Sequence, residues 1–197
     1  MDRRNFIKNA GIISIMPSLL QACEKIDIFS NIKQFDVAKG NHIYIGPQIP
    51  IISESFLHFE AYIPDSQIHP SYDNKDCNGD WNKLFGAGAK LLENHHENSA
   101  RFVFRPLYEK NKVEIGHYTY YNGDIIKNKW VTEIDPNRYY EYGIKFEKGL
   151  AKYFFEGILV QEDSIGEENK IKRFLAPYNG GNCGAYRDSY IVLKKIK

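Results

Sequence analysis

The chain has 197 residues, 43% of them hydrophobic and 26% charged, and a formal net charge of +1. That length supports one globular domain burying roughly 70% of its unfolded surface, and a balance so near neutrality excludes recruitment of nucleic acid or of an anionic membrane by charge alone. Residues 1–22 carry Arg3, Arg4 and Lys8 against Asp2, so without them the formal charge falls to −1.

In chain order, residues 1–22 show the three parts of an export signal: a basic start, an apolar stretch over 10–20, and a small Ala22 before Cys23. The apolar stretch is too short to span a bilayer, and Pro17 breaks the middle of any amphipathic helix there. Leu20-Gln21-Ala22-Cys23 resembles the lipobox of bacterial lipoproteins, whose cysteine thiol takes a diacylglycerol and becomes the new N-terminus. Gln21 departs from the usual small residue. Arg3-Arg4-Asn5-Phe6-Ile7-Lys8 resembles a twin-arginine export motif, a pattern that the basic start of an ordinary lipoprotein signal also produces. The resemblance implies an exported protein held to a bacterial cell membrane, periplasmic or outer, by lipid on Cys23. With Cys23 so used, Cys77 and Cys183 remain. An oxidising compartment permits a disulfide between them, which would close a loop of ~105 residues and contribute about 4–5 kcal/mol in the chain-entropy account; two separate buried thiols are the alternative.

Residues 23–41 are polar and mixed and read as a tether, which leaves 42–197 as the folded domain. Two-residue alternation with frequent aromatics predicts strands over 42–49 and 55–63. Residues 64–98 are rich in Asp, Asn, Gly and His, with a short helix at most over 82–92. Segments 100–108 and 113–121 predict a hairpin whose loop, if it is 109–112, pairs Arg101 with Tyr120 and Arg105 with Gly116. One face of it carries Arg101, Arg105, Glu114, Tyr118 and Tyr120, the other Phe102, Phe104, Val113 and Ile115. Segments 138–147 and 150–159 predict a second hairpin turning at Lys148-Gly149, and 188–196 a last strand after a glycine-rich loop. Many short antiparallel strands with almost no helix predict an all-β sandwich or jelly roll.

Trp81-Asn82-Lys83-Leu84-Phe85-Gly86, the run His95-His96-Glu97-Asn98-Ser99-Ala100-Arg101-Phe102, Tyr120-Tyr121-Asn122-Gly123 and the glycine-rich loop before the last strand resemble a group of bacterial exported proteins. That group is similar in turn to the concanavalin-like jelly rolls common in glycan-active proteins. The resemblance implies the fold and brings no established activity with it.

Four constellations carry candidate chemistry. The first is the hairpin face of Arg101, Arg105, Glu114, Tyr118 and Tyr120, flanked by Glu97 and Asn98: rings stack on pyranose faces while Arg and Glu hydrogen-bond hydroxyls, which predicts carbohydrate binding. A solvated face of cross-strand pairs, each worth about 0.2–1 kcal/mol, is the plain alternative. The second is His95-His96-Glu97 with His117. Adjacent histidines on an extended chain point apart and His117 falls on the apolar face beside Phe104, so a loop shaping the groove is favoured over a metal site. The third is Asn74, Asp76, Asn78 and Asp80, which have the oxygen spacing of a calcium loop but lack its twelfth-position glutamate; calcium is the one cofactor this leaves open. The fourth is Glu141 opposite Glu156 in the second hairpin, a like-charge pair at the spacing of retaining glycosidases with Lys145 and Lys152 near enough to neutralise it. The reading that results is an exported jelly-roll binding module for carbohydrate. Its alternatives are a hydrolase or lyase acting on polysaccharide, and an interaction protein without a small ligand.

Overall fold

A computed structural model describes residues 32–47, 54–70, 81–89, 96–166, 170–180 and 183–196, all within the compact unit Asn31–Lys197. The leader with Cys23, Cys77, His95 and the 74–80 loop with its candidate calcium ligands lie outside those residues.

The described residues form twelve strands: β1 Ile32–Val37, β2 Phe56–Tyr62, β3 Asn82–Gly88, β4 Ser99–Leu107, β5 Lys112–Tyr121, β6 Asp124–Lys127, β7 Thr132–Ile134, β8 Tyr139–Glu147, β9 Leu150–Phe155, β10 Ile158–Ser164, β11 Arg173–Leu175 and β12 Ser189–Lys195. They make two antiparallel sheets. The first runs β1-β12-β2-β8-β9-β10 and the second β11-β3-β4-β5-β6, with β7 also on β5. Alternate residues of the two sheets meet face to face in an aromatic core. Phe59 stands 5.2 Å from Phe85, and Phe102 stands 5.1 Å from Tyr142 and 5.3 Å from Tyr153, ring centre to ring centre. Edge-to-face pairs of this kind add roughly 0.5–1.5 kcal/mol each beyond the area they bury. This is the expected all-β antiparallel sandwich.

Four local expectations change. Residues 32–37, expected within a polar tether, form β1, which pairs with β12 and buries Phe35 and Val37. Of the expected strand 42–49, the described residues 42–47 supply only isolated bridges, through Ile43 and Ile45. The 82–92 region holds strand β3 in place of a helix, with a bulge between Lys83 and Phe85. The first hairpin turns over Tyr108–Asn111 and pairs Leu107 with Lys112, so Arg101 faces Tyr118 and Arg105 faces Glu114; Asn111 takes the left-handed backbone (φ 48°) that closes the turn. A slip of two residues keeps every side chain on its expected face. The second hairpin turns at Lys148-Gly149 with Glu147 opposite Leu150, as its sequence predicts.

Candidate functional site

The outer face of the second sheet, turned away from the core, collects the polar and aromatic residues in rows across the strands. At one end Arg105 of β4 faces Glu114 of β5, which faces Glu133 of β7. The next row sets Lys83 of β3 against Val103 and Gly116. The third runs Leu175, Gly86, Arg101, Tyr118, Lys127, and the fourth Arg173, Gly88, Ser99, Tyr120, Ile125.

A small apolar cluster of Trp81, Val103 and Tyr118, with Tyr120 packed against it, sits on this face separate from the main core. Trp81 lies close across Gly116: a Cβ there would come 3.1 Å from the indole and closer still to the Asn128 side chain, so glycine leaves room for both. With the Asn128 amide turned oxygen toward the indole, it accepts from Trp81 Nε1 at 3.0 Å. Arg105 covers the ring, its guanidinium carbon 4.9 Å from the centroid, while its Nε donates to Glu114 Oε2 at 2.8 Å. Lys83 donates to the Trp81 carbonyl at 2.9 Å and holds its ammonium 5.8 Å from the Tyr118 ring and 6.0 Å from that of Tyr178. Tyr178 is exposed on the rim, stacked on His42.

The row beyond has acid–base character. The His96 ring stands edge-on to Tyr120 at 5.0 Å. Desolvation, with Arg101 and Lys83 adding to it, pushes the imidazole below its ordinary pKa, so it is neutral at pH 7. Burial raises the Tyr120 phenol, with Arg101 partly opposing, so it keeps its proton. The Glu97-Asn98 segment is set by the β5–β6 turn: Gly123 N donates to the Glu97 carbonyl at 3.3 Å and Asn122 N to Asn98 Oδ1 at 3.2 Å. Asn98 is therefore nearly buried as a structural acceptor, while Glu97 is exposed. Arg101, Tyr118, Tyr120 and the Arg105–Glu114 pair share one face with His96 at its end. Trp81, Lys83, Tyr178 and Arg173 join them, although the sequence marked none of the four as a site residue; Gly86 on β3 is the signal that a side chain lies close over that strand.

Other candidates are placed elsewhere. His117 is fully buried on the inner face opposite Phe102, its Nε2 3.1 Å from Asp163 Oδ2. Glu141 and Glu156 belong to the first sheet and are drawn to different partners. Glu141 Oε1 lies 2.7 Å from His58 Nε2, and Glu156 Oε1 accepts the Glu141 backbone N–H at 2.6 Å. Lys145 and Lys152 both turn to Glu147, whose carboxyl their hydrogen bonds hold down to about 2. Cys183 is disulfide-bonded; both other cysteines of the chain lie outside the described residues.

No protein-family profile and no curated protein sequence matches the chain. Among solved structures it is similar to the catalytic domain of an endo-1,3-β-glucanase (laminarinase) from Thermotoga petrophila RKU-1, at 11% identity over 83% of this chain and 74% of that one, with a TM-score of 0.49. It is also similar to LamAcat from Zobellia galactanivorans at 12% identity, over 82% of this chain and 74% of that one, TM-score 0.48. A glycoside hydrolase family 16 endo-glucanase from Bacteroides ovatus stands at 11%, over 84% and 79%, TM-score 0.46. The likeness is one of fold. The residues of the outer face have to carry any functional reading themselves.

Proposed function

We propose that the outer face of the second sheet binds carbohydrate. The observation that carries this reading is the placing of Trp81, Tyr118 and Tyr120 on a strand face remote from the core, interleaved with Lys83, Arg101 and the Arg105–Glu114 pair. Tyr120 and the rim Tyr178 offer rings to pyranose faces, and the cationic side chains offer N–H donors to hydroxyls. Expected on titration with a polysaccharide panel, with and without calcium, is saturable binding that Tyr120→Ala weakens at least tenfold. Silence across the panel overturns the reading.

A second reading, that the protein cleaves the chain it binds, is favoured by the His96–Tyr120 contact. An imidazole in contact with a phenol brings together the two kinds of group that general acid–base catalysis uses. Both acidic residues in the end row, Glu114 and Glu133, are engaged by basic partners, Arg105 and Lys110, and Glu141 and Glu156 face away on the other sheet. Cleavage in this reading would run through His96 and Tyr120, with the exposed Glu97 beside them, and new reducing ends that disappear in both His96→Ala and Tyr120→Phe would identify it. Reducing ends from the His96→Ala, Tyr120→Phe double variant at the wild-type rate would exclude it.

Export and a lipid anchor on Cys23 belong to the same proposal, supported by the signal-like leader and the lipobox-like Leu20-Gln21-Ala22-Cys23. Expected of Cys23→Ala is release from the membrane fraction; a variant that stays there sinks the anchor.

A further inference from the structure

At the centre of the outer face lies a cation that no carboxylate among the described residues pairs with. Arg101 is only 6% exposed, and its Nε has no hydrogen-bond partner among the described residues. The groups that act on its charge are Tyr120, Arg173 and Tyr153, none of them a carboxylate. Desolvation outweighs the rest and brings the guanidinium down to about 10, where an ion pair would have held it up. Burying an ion without a counter-ion is among the costliest arrangements a fold can keep. In the end row of the same face cations are paired with carboxylates: Arg105 with Glu114, and Lys110 with Glu133. Room for Arg101 is also built in. A Cβ on Gly86, its neighbour on β3, would come 2.5 Å from Arg101 Cγ, so glycine at that position lets the side chain lie across the strand.

Resting on the reading of this face as a glycan site, we propose that its ligand is an acidic polysaccharide, with the ring carboxylate of a uronic acid received by Arg101. Lys127, across from Tyr118, and Arg173, across from Gly88, flank the position and extend the positive field over neighbouring sugars. A planar guanidinium presents parallel N–H groups that fit a planar carboxylate two at a time, which would satisfy Nε and supply the missing charge together. A hydroxyl of a neutral sugar would satisfy the donor and leave the charge uncompensated.

The test is calorimetric binding of the full chain to polygalacturonate and alginate, which carry carboxylates, to carrageenan, which carries sulfates, and to laminarin, which is neutral. A uronate polymer is expected to bind at least tenfold tighter than the other two, and more weakly as salt is raised. Arg101→Leu is expected to lose that preference while its Tm stays equal to or above that of the wild type, because an uncompensated charge has been removed from a desolvated position. Should Arg101→Leu fail to fold, Arg101→Lys decides: it keeps the charge without the fork and is expected to bind uronate polymers with reduced affinity at unchanged Tm. Carrageenan or laminarin bound as tightly as the uronate polymers overturns the inference and leaves the glycan reading standing; so does uronate preference undiminished in the Arg101 variants. Binding to none of the four overturns both.

Discussion

Asp163 shows how a single carboxylate shapes the floor under the outer face. It lies buried between the sheets on β10, where Thr119 Oγ1 donates to its Oδ2 at 2.7 Å and Gln161 Nε2 to its Oδ1 at 2.7 Å, with His117 Nε2 3.1 Å away. Thr119 also stands 2.7 Å from the Tyr153 hydroxyl, which donates to the Tyr118 carbonyl at 3.0 Å. The inner residues of β5 are thereby pinned directly beneath Tyr118 and Tyr120. Desolvation alone would raise the Asp163 pKa, but His117 beside it and the hydrogen bonds from Thr119 and Gln161 outweigh it and leave the carboxyl below its ordinary value. The fold therefore prefers the anion: this stabilisation is complete above the titration of the unfolded carboxyl and is lost as pH falls through the lower folded pKa. Urea melts should lose stability below about pH 4, with a weaker acid dependence in Asp163→Asn. Asp163→Ala, which strips the buried network of its acceptor, should cost about 3–5 kcal/mol at pH 7 by the same melts; a loss under 1 kcal/mol would show that the network is not what pins β5.

At the scale of strands and turns, the β8–β9–β10 meander is held by two two-residue turns, Lys148-Gly149 and Glu156-Gly157, with both residues of each in the left-handed region (φ 52° and 75°, 50° and 73°). Lys148 has no side-chain reason to accept that backbone, whereas asparagine tolerates it. Lys148→Asn should raise stability by up to about 1 kcal/mol, the scale of the left-handed penalty, read as an upward shift of the urea midpoint. Residues of the first kind of turn are legible in a sequence, and Lys148-Gly149 fixes the register of β8 and β9 without further information. Glu156-Gly157 has the same form, but the apolar Ile158 and Leu159 beyond it make one long strand look plausible. Strand β3 is hidden by its bulge: Leu84 and Phe85 are consecutive buried residues, so the two-residue period breaks where a reader would look for it. Trp81 and Lys83 were missed with it. Arg101, Tyr118 and Tyr120 could be found because alternation assigns faces even when the loop is placed one residue too far along; that the Glu141 carboxyl is engaged by His58 could not, since His58 comes from a strand more than eighty residues earlier in the chain.

At the scale of the sandwich, the site belongs to one sheet and the first and last described strands to the other. The first sheet begins with β1 at its edge and places β12 second, between β1 and β2, with Ile32 opposite Lys194 and Val192 opposite Tyr62. The last strand of the chain is therefore an interior wall of the sandwich, and its Ile191 and Leu193 lie in the main core. A chain ending before Ser189 should show no cooperative thermal transition, whereas removal of β1 alone should leave a melting, weakened fold; cooperative melting of the first truncation would mean that β12 is dispensable. Synthesis runs in chain order, so β1 and β2 emerge early and must wait, with the ladder hydrogen bonds between each of them and β12 unmet, until β12 arrives to fill the gap between them. The sandwich cannot be finished piece by piece as it is made: until β12 exists, the nascent chain exposes the unpaired edges of two strands and depends on whatever holds them apart from its neighbours.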